Sequence, residues 1–297
     1  MKKEPLTELE ELVMRTLSYF NALGVRSLTL LEFKKYLLNN RSKERLFDIQ
    51  KTLSMLKKRG LVNQKNGFWY YTEEKNTYPE RIKRAKTTLT KWDKFSSEAL
   101  FLTYIPYIRS LAVTGSVSLS NSRSKSDIDI MIRVKEGRIW ISRLIVTLVS
   151  YILKRRRYGK KIQNRLCFNH YIATNENRFG PPIIHRVVSN IHIPVWDQYK
   201  ENSIESLFFI KPNKYFLSIK KYLEIFLEKS KLGNILENIF GKIQIKKIQK
   251  NPIGYPKDLP EPVIDSGNLI FYYPKVKKTQ NKYIDSLKKH GLRFRTN

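Results

Sequence analysis

The sequence predicts a protein of the α+β class, and three observations lead to this prediction. Apolar residues recur at helical spacing in residues 7–58, and two short β-prone runs follow them. The middle of the chain alternates strand-like with helix-like segments, the order of an α/β core with a mixed sheet. From about residue 183 to 250 the apolar pattern is again helical. We therefore expect three regions, with boundaries at residues 1–76, 77–180 and 181–297.

The first region is expected to form three helices and a hairpin. A helix is predicted over residues 7–22, where Thr7 and Glu10 have the spacing of a capping box. The segment LLEFKKYLL predicts a second helix, and residues 44–58 place their aliphatic side chains on one face of a third. Gly60 ends that helix, and the two β-prone runs then flank Lys-Asn-Gly, a sequence typical of a hairpin turn.

This arrangement resembles a winged helix-turn-helix domain. Through that resemblance, the third helix would present Arg45, Lys51 and Lys58 to a nucleic acid. Helix shape carries no base-reading information by itself, however, and charged runs are usually solvated faces. A domain that only mediates contacts with other proteins is therefore the alternative for this region.

Regular elements are also predicted for the rest of the chain. A basic linker helix is expected at residues 78–100, before the middle region. Three strands and one helix are expected in that region, the strands at residues 111–115, 127–134 and 165–173 and the helix at residues 139–156. A last helix is expected near residues 278–290, after a stretch rich in proline.

The chain is strongly basic, with 57 Lys and Arg residues against 26 Asp and Glu residues and a formal net charge of +31. Such a chain attracts polyanions, so we expect RNA, DNA or nucleotide polyphosphates as partners. Compositional drift is the alternative explanation, because the chain is rich in Lys, Asn and Ile together.

The sequence shows no sign of a membrane span or a disulfide. The longest nearly apolar run, Trp140 to Leu153, is interrupted by Arg143 and is shorter than the roughly 20 residues that a span needs. The segment MKKEPLTELEE turns acidic where a signal peptide would need an apolar core. The single cysteine, Cys167, excludes an intramolecular disulfide and a cysteine-based zinc site. We expect a cytoplasmic protein.

Two acidic residues in LAVTGSVSLSNSRSKSDIDIMIRV, residues 111–134, predict a metal site. On a strand, Asp127 and Asp129 point to one face, whereas Ile128 and Ile130 point to the other. Two carboxylates this close repel each other, and burying them without partners would cost several kcal/mol. A divalent cation removes the repulsion, and Mg²⁺ prefers one or two carboxylates together with phosphate oxygens. The alternative is an edge strand whose aspartates pair with nearby lysines.

A candidate phosphate site precedes the aspartates. A strand that ends at Thr114 would turn at Gly115, where the missing side chain lets backbone N–H groups approach an anion. Ser116 would cap a short helix after this turn and contact a phosphate through its hydroxyl. Ser122 and Lys125 would supply a small donor and a positive charge from the connecting loop.

The segment VTGSVSLSNSRSKSDIDI resembles the signature of the nucleotidyltransferase superfamily typified by DNA polymerase beta. That signature is an apolar residue, Gly, then Gly or Ser, a spacer, and finally Asp, an apolar residue, and Asp or Glu. With the elements predicted up to residue 173, the resemblance extends to a minimal transferase core. It implies Mg²⁺ or Mn²⁺ as the cofactor and an NTP as a substrate. It also implies Gly115 and Ser116 at the triphosphate and Asp127 and Asp129 as metal ligands.

The next predicted strand, RLCFNHYIA, departs from the family pattern. Members of the superfamily often carry a third carboxylate there, which acts as a general base or as a further metal ligand. Here Asn169 or His170 stands in its place. Asn169 can bind a metal but cannot accept a proton, whereas His170 can act as a base near neutral pH.

Other assignments are open for this third position. His170 is an ordinary strand histidine if strict alternation groups it with Leu166, Phe168 and Ile172. Acidic residues from elsewhere in the chain, Glu176 or Asp197, are alternatives that the fold would have to bring into the site.

Together these patterns predict a Mg²⁺-dependent nucleotidyltransferase. It would transfer a nucleoside monophosphate from an NTP to a hydroxyl group of RNA, a protein or a small molecule, with release of pyrophosphate. The alternative from a different class is a winged-helix DNA-binding regulator with a catalytically weakened transferase-like domain. The absent third carboxylate favours the regulator, whereas the intact Gly-Ser and Asp-Ile-Asp favour the enzyme.

Overall fold

The computed structural model describes residues 5–38, 44–74, 77–174, 193–198, 210–250, 263–265, 267–271 and 275–292. Within these ranges the chain has a mixed α+β fold, as the sequence predicts. Contacts divide it into two compact units, Met1–Ala85 with Lys275–Asn297 and Lys86–Pro274. None of the helices described has both the length and the apolar character that crossing a bilayer requires.

The segment before residue 75 of the first unit contains three helices and a small antiparallel sheet, among the residues that the structure describes. The helices are α1 (Glu8–Ala22), α2 (Leu30–Tyr36) and α3 (Leu46–Lys58), and the strands β1 (Leu28–Thr29), β2 (Val62–Lys65) and β3 (Phe68–Tyr71) lie in the order β1-β3-β2. The predicted capping box starts α1, with the Thr7 side chain accepting a hydrogen bond from the Glu10 N–H. Asn66 and Gly67 join β2 to β3 with positive φ angles, which this tight hairpin turn requires.

The second unit is organised around a mixed sheet. Helix α4 (Tyr78–Glu98) begins before the boundary between the units and ends after it. The strands are β4 (Ile108–Thr114), β5 (Ile128–Val134), β6 (Leu166–Ala173), β7 (Ile193–Asp197), β8 (Val263–Ile264) and β9 (Asn268–Ile270). They lie in the order β7-β4-β5-β6-β9-β8, and β5 and β6 form the parallel pair. The short helix α5 (Gly115–Ser118) follows β4, and α6 (Ile139–Ile152) makes the crossover that a parallel pair needs.

Strand β5 divides its residues between two faces of the sheet. Ile128, Ile130 and Ile132 are buried in the main core of the second unit. Asp129 and Met131 take the alternate positions, and Met131 packs in a separate small cluster. The predicted alternation is therefore confirmed, although the strand begins at Ile128, one residue later than expected.

The region after residue 180 contains helices, as predicted, and also strands that its sequence pattern does not reveal. The helices are α7 (Lys214–Lys229), α8 (Leu232–Lys250) and α9 (Lys275–Lys289), whereas β7, β8 and β9 join the sheet. These strands are short and form by pairing with distant partners, β7 with β4 and β9 with β6. Helix α9 belongs to the first unit, where Tyr283 packs against Tyr19 of α1.

Candidate metal and phosphate site

A sharp turn at Gly115 connects β4 to α5. Gly115 has a φ of +67°, a conformation that glycine adopts without strain. The strand register pairs Thr114 with Asp129 of β5, so the turn lies against that carboxylate. A Cβ atom at Gly115 would collide with Asp129 Oδ2 and lie 3.2 Å from Asp129 Cγ. Glycine is therefore favoured here by the backbone conformation, and its missing side chain leaves the Asp129 carboxylate in place.

The two aspartates lie at the start of β5, beside this turn. Asp127 directly precedes the strand and Asp129 is its second residue, with the fully buried Ile128 between them. Both aspartates are partly exposed. Their carboxylates therefore lie on the side of the strand away from the main core, where a solute can reach them.

An arginine neutralises Asp127. Arg157 Nη1 donates to Asp127 Oδ2 at 2.6 Å, and the two side chains are 33% and 14% exposed. The backbone of Arg157 is fixed as well, because its N–H donates to the Leu166 carbonyl oxygen at 2.9 Å at the start of β6. A divalent cation on Asp127 would compete with this guanidinium for a carboxylate oxygen. No local sequence pattern connects Arg157 with Asp127, since 30 residues separate the two.

Helix α4 supports the loop between α5 and β5. Lys91 is buried, and its Nζ donates to the carbonyl oxygens of Ser124 and Ser126 at 3.3 and 2.6 Å and to Asn164 Oδ1 at 2.6 Å. Burial lowers the pKa of the Lys91 ammonium group, and the nearby Asp127 carboxylate opposes this shift. Lys91 thus holds the segment that leads directly into the first aspartate.

The residues predicted to contact phosphate have different surroundings. Ser122 is completely buried, and its backbone N–H donates to Thr88 Oγ1 of α4 at 3.1 Å. The structure therefore gives Ser122 an anchoring role in the loop instead of exposure to a ligand. Lys125 is exposed in a turn. Ser116 is half-buried and is the second residue of α5, so the prediction that it caps this helix is wrong; Thr114 takes the N-cap position without a side-chain hydrogen bond. Lys125 and Ser116 are both accessible to a phosphate group.

Cys167 completes the cluster, and no local sequence pattern connects it with the aspartates. Strands β5 and β6 are parallel, and their register pairs Asp129 with Cys167. One ligand atom from each of Asp127, Asp129 and Cys167 lies within 4.8 Å of the other two, and all three residues are partly buried. Two carboxylates and a thiol are thus close enough together to be candidate ligands of one metal ion. The expectation that a single cysteine excludes a cysteine-based zinc site therefore does not hold for a site whose other ligands are carboxylates.

Asn169 and His170, the residues predicted for the third position, lie further along β6. The register shifts within this strand pair, and Met131 pairs with His170. Strict alternation, which would group His170 with Leu166 and Phe168, therefore does not hold, because the irregularity moves His170 to the face that carries Met131. Asn169 is buried next to this irregularity. Neither residue occupies the position beside the aspartates.

The two further acids named for the third position do not complete the cluster in the part of the chain that the structure describes. Glu176 lies outside the described residues. Asp197 is the last residue of β7 and pairs with Ser110 near the start of β4. Gly115 follows the opposite end of β4, so Asp197 lies away from the metal cluster.

The cations predicted to face a nucleic acid are exposed on α3 and just before it. Arg45 directly precedes the helix and donates to Asp48 Oδ2 at 3.0 Å. Lys51 and Lys58 are exposed, whereas Ile49, Leu53 and Leu56 of α3 are buried. Leu46, Phe47 and Met55 of the same helix are also exposed. These cations are therefore accessible to a polyanion.

Two features of the second unit thus meet at one place, the glycine turn after β4 and the cluster of Asp127, Asp129 and Cys167. No family model, curated protein or solved structure matches the chain. A functional assignment therefore depends on the chemistry of these residues.

Proposed function

We propose that the protein is a Mg²⁺-dependent nucleotidyltransferase, which transfers a nucleoside monophosphate from an NTP to an acceptor hydroxyl group. The observation that carries this proposal is the close approach of Gly115 to Asp129, where a Cβ atom on the turn would displace the carboxylate. An anion approached by the backbone of this turn would lie next to an ion held by the carboxylates. The same segment resembles the nucleotidyltransferase signature, in which Gly-Ser and Asp-x-Asp have these two tasks.

The aspartates suit a hard divalent cation. Mg²⁺ takes oxygen ligands and is usually held by one or two carboxylates together with substrate phosphates. Asp127 and Asp129 offer such oxygens in a partly exposed position, and the Arg157 guanidinium shows that this position favours a positive charge. When bound there, the cation would neutralise the charge of the phosphoryl oxygens and help to align the reacting groups.

The residues of the chain would position the reactants. The backbone at Gly115 and Ser116 would approach the β- and γ-phosphates, and Lys125 and Arg157 would add positive charge nearby. The acceptor oxygen would form a bond to the α-phosphorus, while the bond from this phosphorus to pyrophosphate breaks and the acceptor proton passes to solvent. The rate enhancement would come from positioning and charge neutralisation.

The proposal is tested by incubating the full chain with Mg²⁺ and each α-labelled NTP, in the presence of RNA, protein and small-molecule acceptors. We expect label in one acceptor class. Asp127→Asn and Asp129→Asn should reduce labelling by roughly 100-fold or more, because each removes a carboxylate from the site of charge neutralisation. Asp93→Asn, which changes an exposed carboxylate on α4, serves as the control and should leave labelling unchanged. Absence of label from every acceptor would contradict the proposal.

A DNA-binding regulator is the second candidate, and the exposed cations at α3 favour it. The absence of a carboxylate beside Asp129 on β6, where Cys167 lies, favours it as well. In this case a variant that combines Arg45→Gln, Lys51→Gln and Lys58→Gln should lose most of its affinity for duplex DNA. Unchanged affinity of this variant would exclude the regulator, and labelling of an acceptor by the wild type would favour the enzyme.

A further inference from the structure

The thiol of Cys167 changes the chemistry of the proposed metal site. Its sulfur belongs to the same group of ligand atoms as the oxygens of Asp127 and Asp129, with all separations at or below 4.8 Å. The strand register places it there, since Asp129 and Cys167 are paired neighbours on β5 and β6. Cys167 is partly exposed, so an ion that reaches the aspartates also reaches the sulfur.

A thiolate and a carboxylate select different metals. Carboxylates suit Mg²⁺, Ca²⁺ and Mn²⁺, whereas the soft sulfur of cysteine favours Zn²⁺ and related thiophilic ions. Zinc sites accept mixed sets of cysteine and carboxylate ligands, with bond lengths of about 2.3 Å to sulfur and about 2.0–2.2 Å to oxygen. A site with two carboxylates alone would have only a weak preference for Zn²⁺ over Mg²⁺. A site with two carboxylates and a thiolate has a strong preference for Zn²⁺.

We propose that Cys167 is a metal ligand, and that it makes this site bind thiophilic divalent cations such as Zn²⁺ more tightly than Mg²⁺. The ion takes Asp127, Asp129 and Cys167 as ligands, and it replaces the thiol proton, which passes to the buffer. Arg157 gives up its contact with Asp127 when the ion binds. One consequence rests on the proposed function. A thiophilic ion competes with Mg²⁺ for both aspartates and thereby inhibits nucleotidyl transfer.

The test is a titration of the full chain with Cd²⁺, a thiophilic probe whose bond to sulfur gives an ultraviolet charge-transfer absorbance. Cys167 is the single cysteine of the chain, so this absorbance can arise from no other residue. The wild type should show a band that saturates at one ion per chain and is reversed by Zn²⁺ but not by equimolar Mg²⁺. Cys167→Ser should lose the band and bind Cd²⁺ at least tenfold more weakly, since loss of a ligand costs no less than loss of an outer-shell partner.

Three further variants test whether the Cd²⁺ ion binds at the cluster of Asp127, Asp129 and Cys167. Asp129→Asn keeps the thiol but should lower the affinity for Cd²⁺, because the sulfur then binds without its neighbour. Cys167→Asp should bind Cd²⁺ without the band and should bind Mg²⁺ more tightly than the wild type. Asp93→Asn should behave as the wild type. A wild type without the band, or a Cys167→Ser variant with unchanged affinity, would overturn the proposal.

The same samples separate this proposal from the proposed function. A charge-transfer band without label in any acceptor would support the metal site and contradict nucleotidyl transfer. Label in an acceptor without any band would support nucleotidyl transfer and overturn the role of Cys167. Inhibition of labelling by Zn²⁺ in the wild type, relieved in Cys167→Ser, is the result expected if both proposals hold.

Discussion

Gly115 combines a left-handed backbone conformation with a close approach to a side chain. A residue with a Cβ atom would be strained at its φ of +67° by about 1–2 kcal/mol, and that Cβ would also meet the Asp129 carboxylate. Gly137, in the turn before α6, has a similar φ of +65°, but no atom lies within 4 Å of the position of its missing Cβ. A comparison of Gly115 with Gly137 therefore distinguishes the energetic cost of the backbone conformation from the cost of the collision with Asp129.

Gly115→Ala should impair metal binding, whereas Gly137→Ala should not. Both variants lose about 1–2 kcal/mol of unfolding free energy through backbone strain. Gly115→Ala in addition displaces the Asp129 carboxylate, so the affinity of this variant for Cd²⁺ should fall by roughly tenfold or more. Urea denaturation measures the first effect and the Cd²⁺ titration the second. Wild-type affinity in Gly115→Ala would show that the contact with Asp129 has no part in the metal site.

At the scale of elements, helices support the sheet and the loops at its edge through buried lysines. Helix α4, predicted as a basic linker, donates from Lys91 to the loop before Asp127. Helix α7 donates from Lys220, which is 4% exposed, to the Ile108 carbonyl oxygen at 2.5 Å at the start of β4. Lys91 and Lys220 thus hold the segment before β5 and the start of β4 in place. The sequence pattern of these helices does not reveal this role, because it indicates only exposed positive charge.

The burial of Lys220 on α7 makes the free energy of unfolding depend on pH. Burial lowers the pKa of Lys220 to about 7, the Glu224 carboxylate opposes this shift, and Arg109 adds to it. The lysine of an unfolded chain keeps its proton up to about pH 10.5. Between these two values the unfolded state binds more protons than the folded state, so the contribution of Lys220 to stability rises with pH.

This effect is measured as the difference in unfolding free energy between the wild type and Lys220→Met, from urea denaturation at several pH values. The difference should shift in favour of the wild type by on the order of 4 kcal/mol between about pH 7 and about pH 10. Lys221→Met, which removes the exposed neighbouring lysine, is the control and should show no such trend. A difference that stays constant with pH would mean that Lys220 keeps its proton in the folded protein.

At the scale of the whole molecule, the formal net charge of +31 favours attraction to polyanions. Neutralisation of phosphates by Lys and Arg releases counterions, so the affinity for a nucleic acid falls steeply with salt. This attraction does not require the metal cluster, because it is distributed over the basic residues of the chain.

We therefore expect Asp127→Asn and Asp129→Asn to bind RNA or DNA as tightly as the wild type or more tightly, while they lose transfer activity. Fluorescence anisotropy at several salt concentrations gives the affinity and its salt slope, which is about 0.9 per phosphate contact on duplex DNA. The slopes of the aspartate variants should equal that of the wild type. A loss of nucleic-acid binding in these variants would place the polyanion at the metal cluster.

The sequence by itself determined the features that depend on neighbouring residues. The capping box of Thr7 and Glu10, the hairpin turn at Asn66 and Gly67, and the alternation around Asp129 are all present in the structure. Each of them arises within one helical turn, one tight turn or one strand. The local backbone and the spacing of side chains are then sufficient to predict the result.

The tertiary structure alone decided which distant residues complete the site. Cys167 lies beside Asp129 because the crossover through α6 makes β6 a parallel neighbour of β5 with this register. The irregularity in the same pair turns His170 to the face that carries Asp129 and Met131, further along β6 than Cys167. Arg157 reaches Asp127 from 30 residues along the chain. The register of two strands that are joined by a crossover depends on how both pack in the sheet. The residue pattern of one strand alone is not sufficient to predict it.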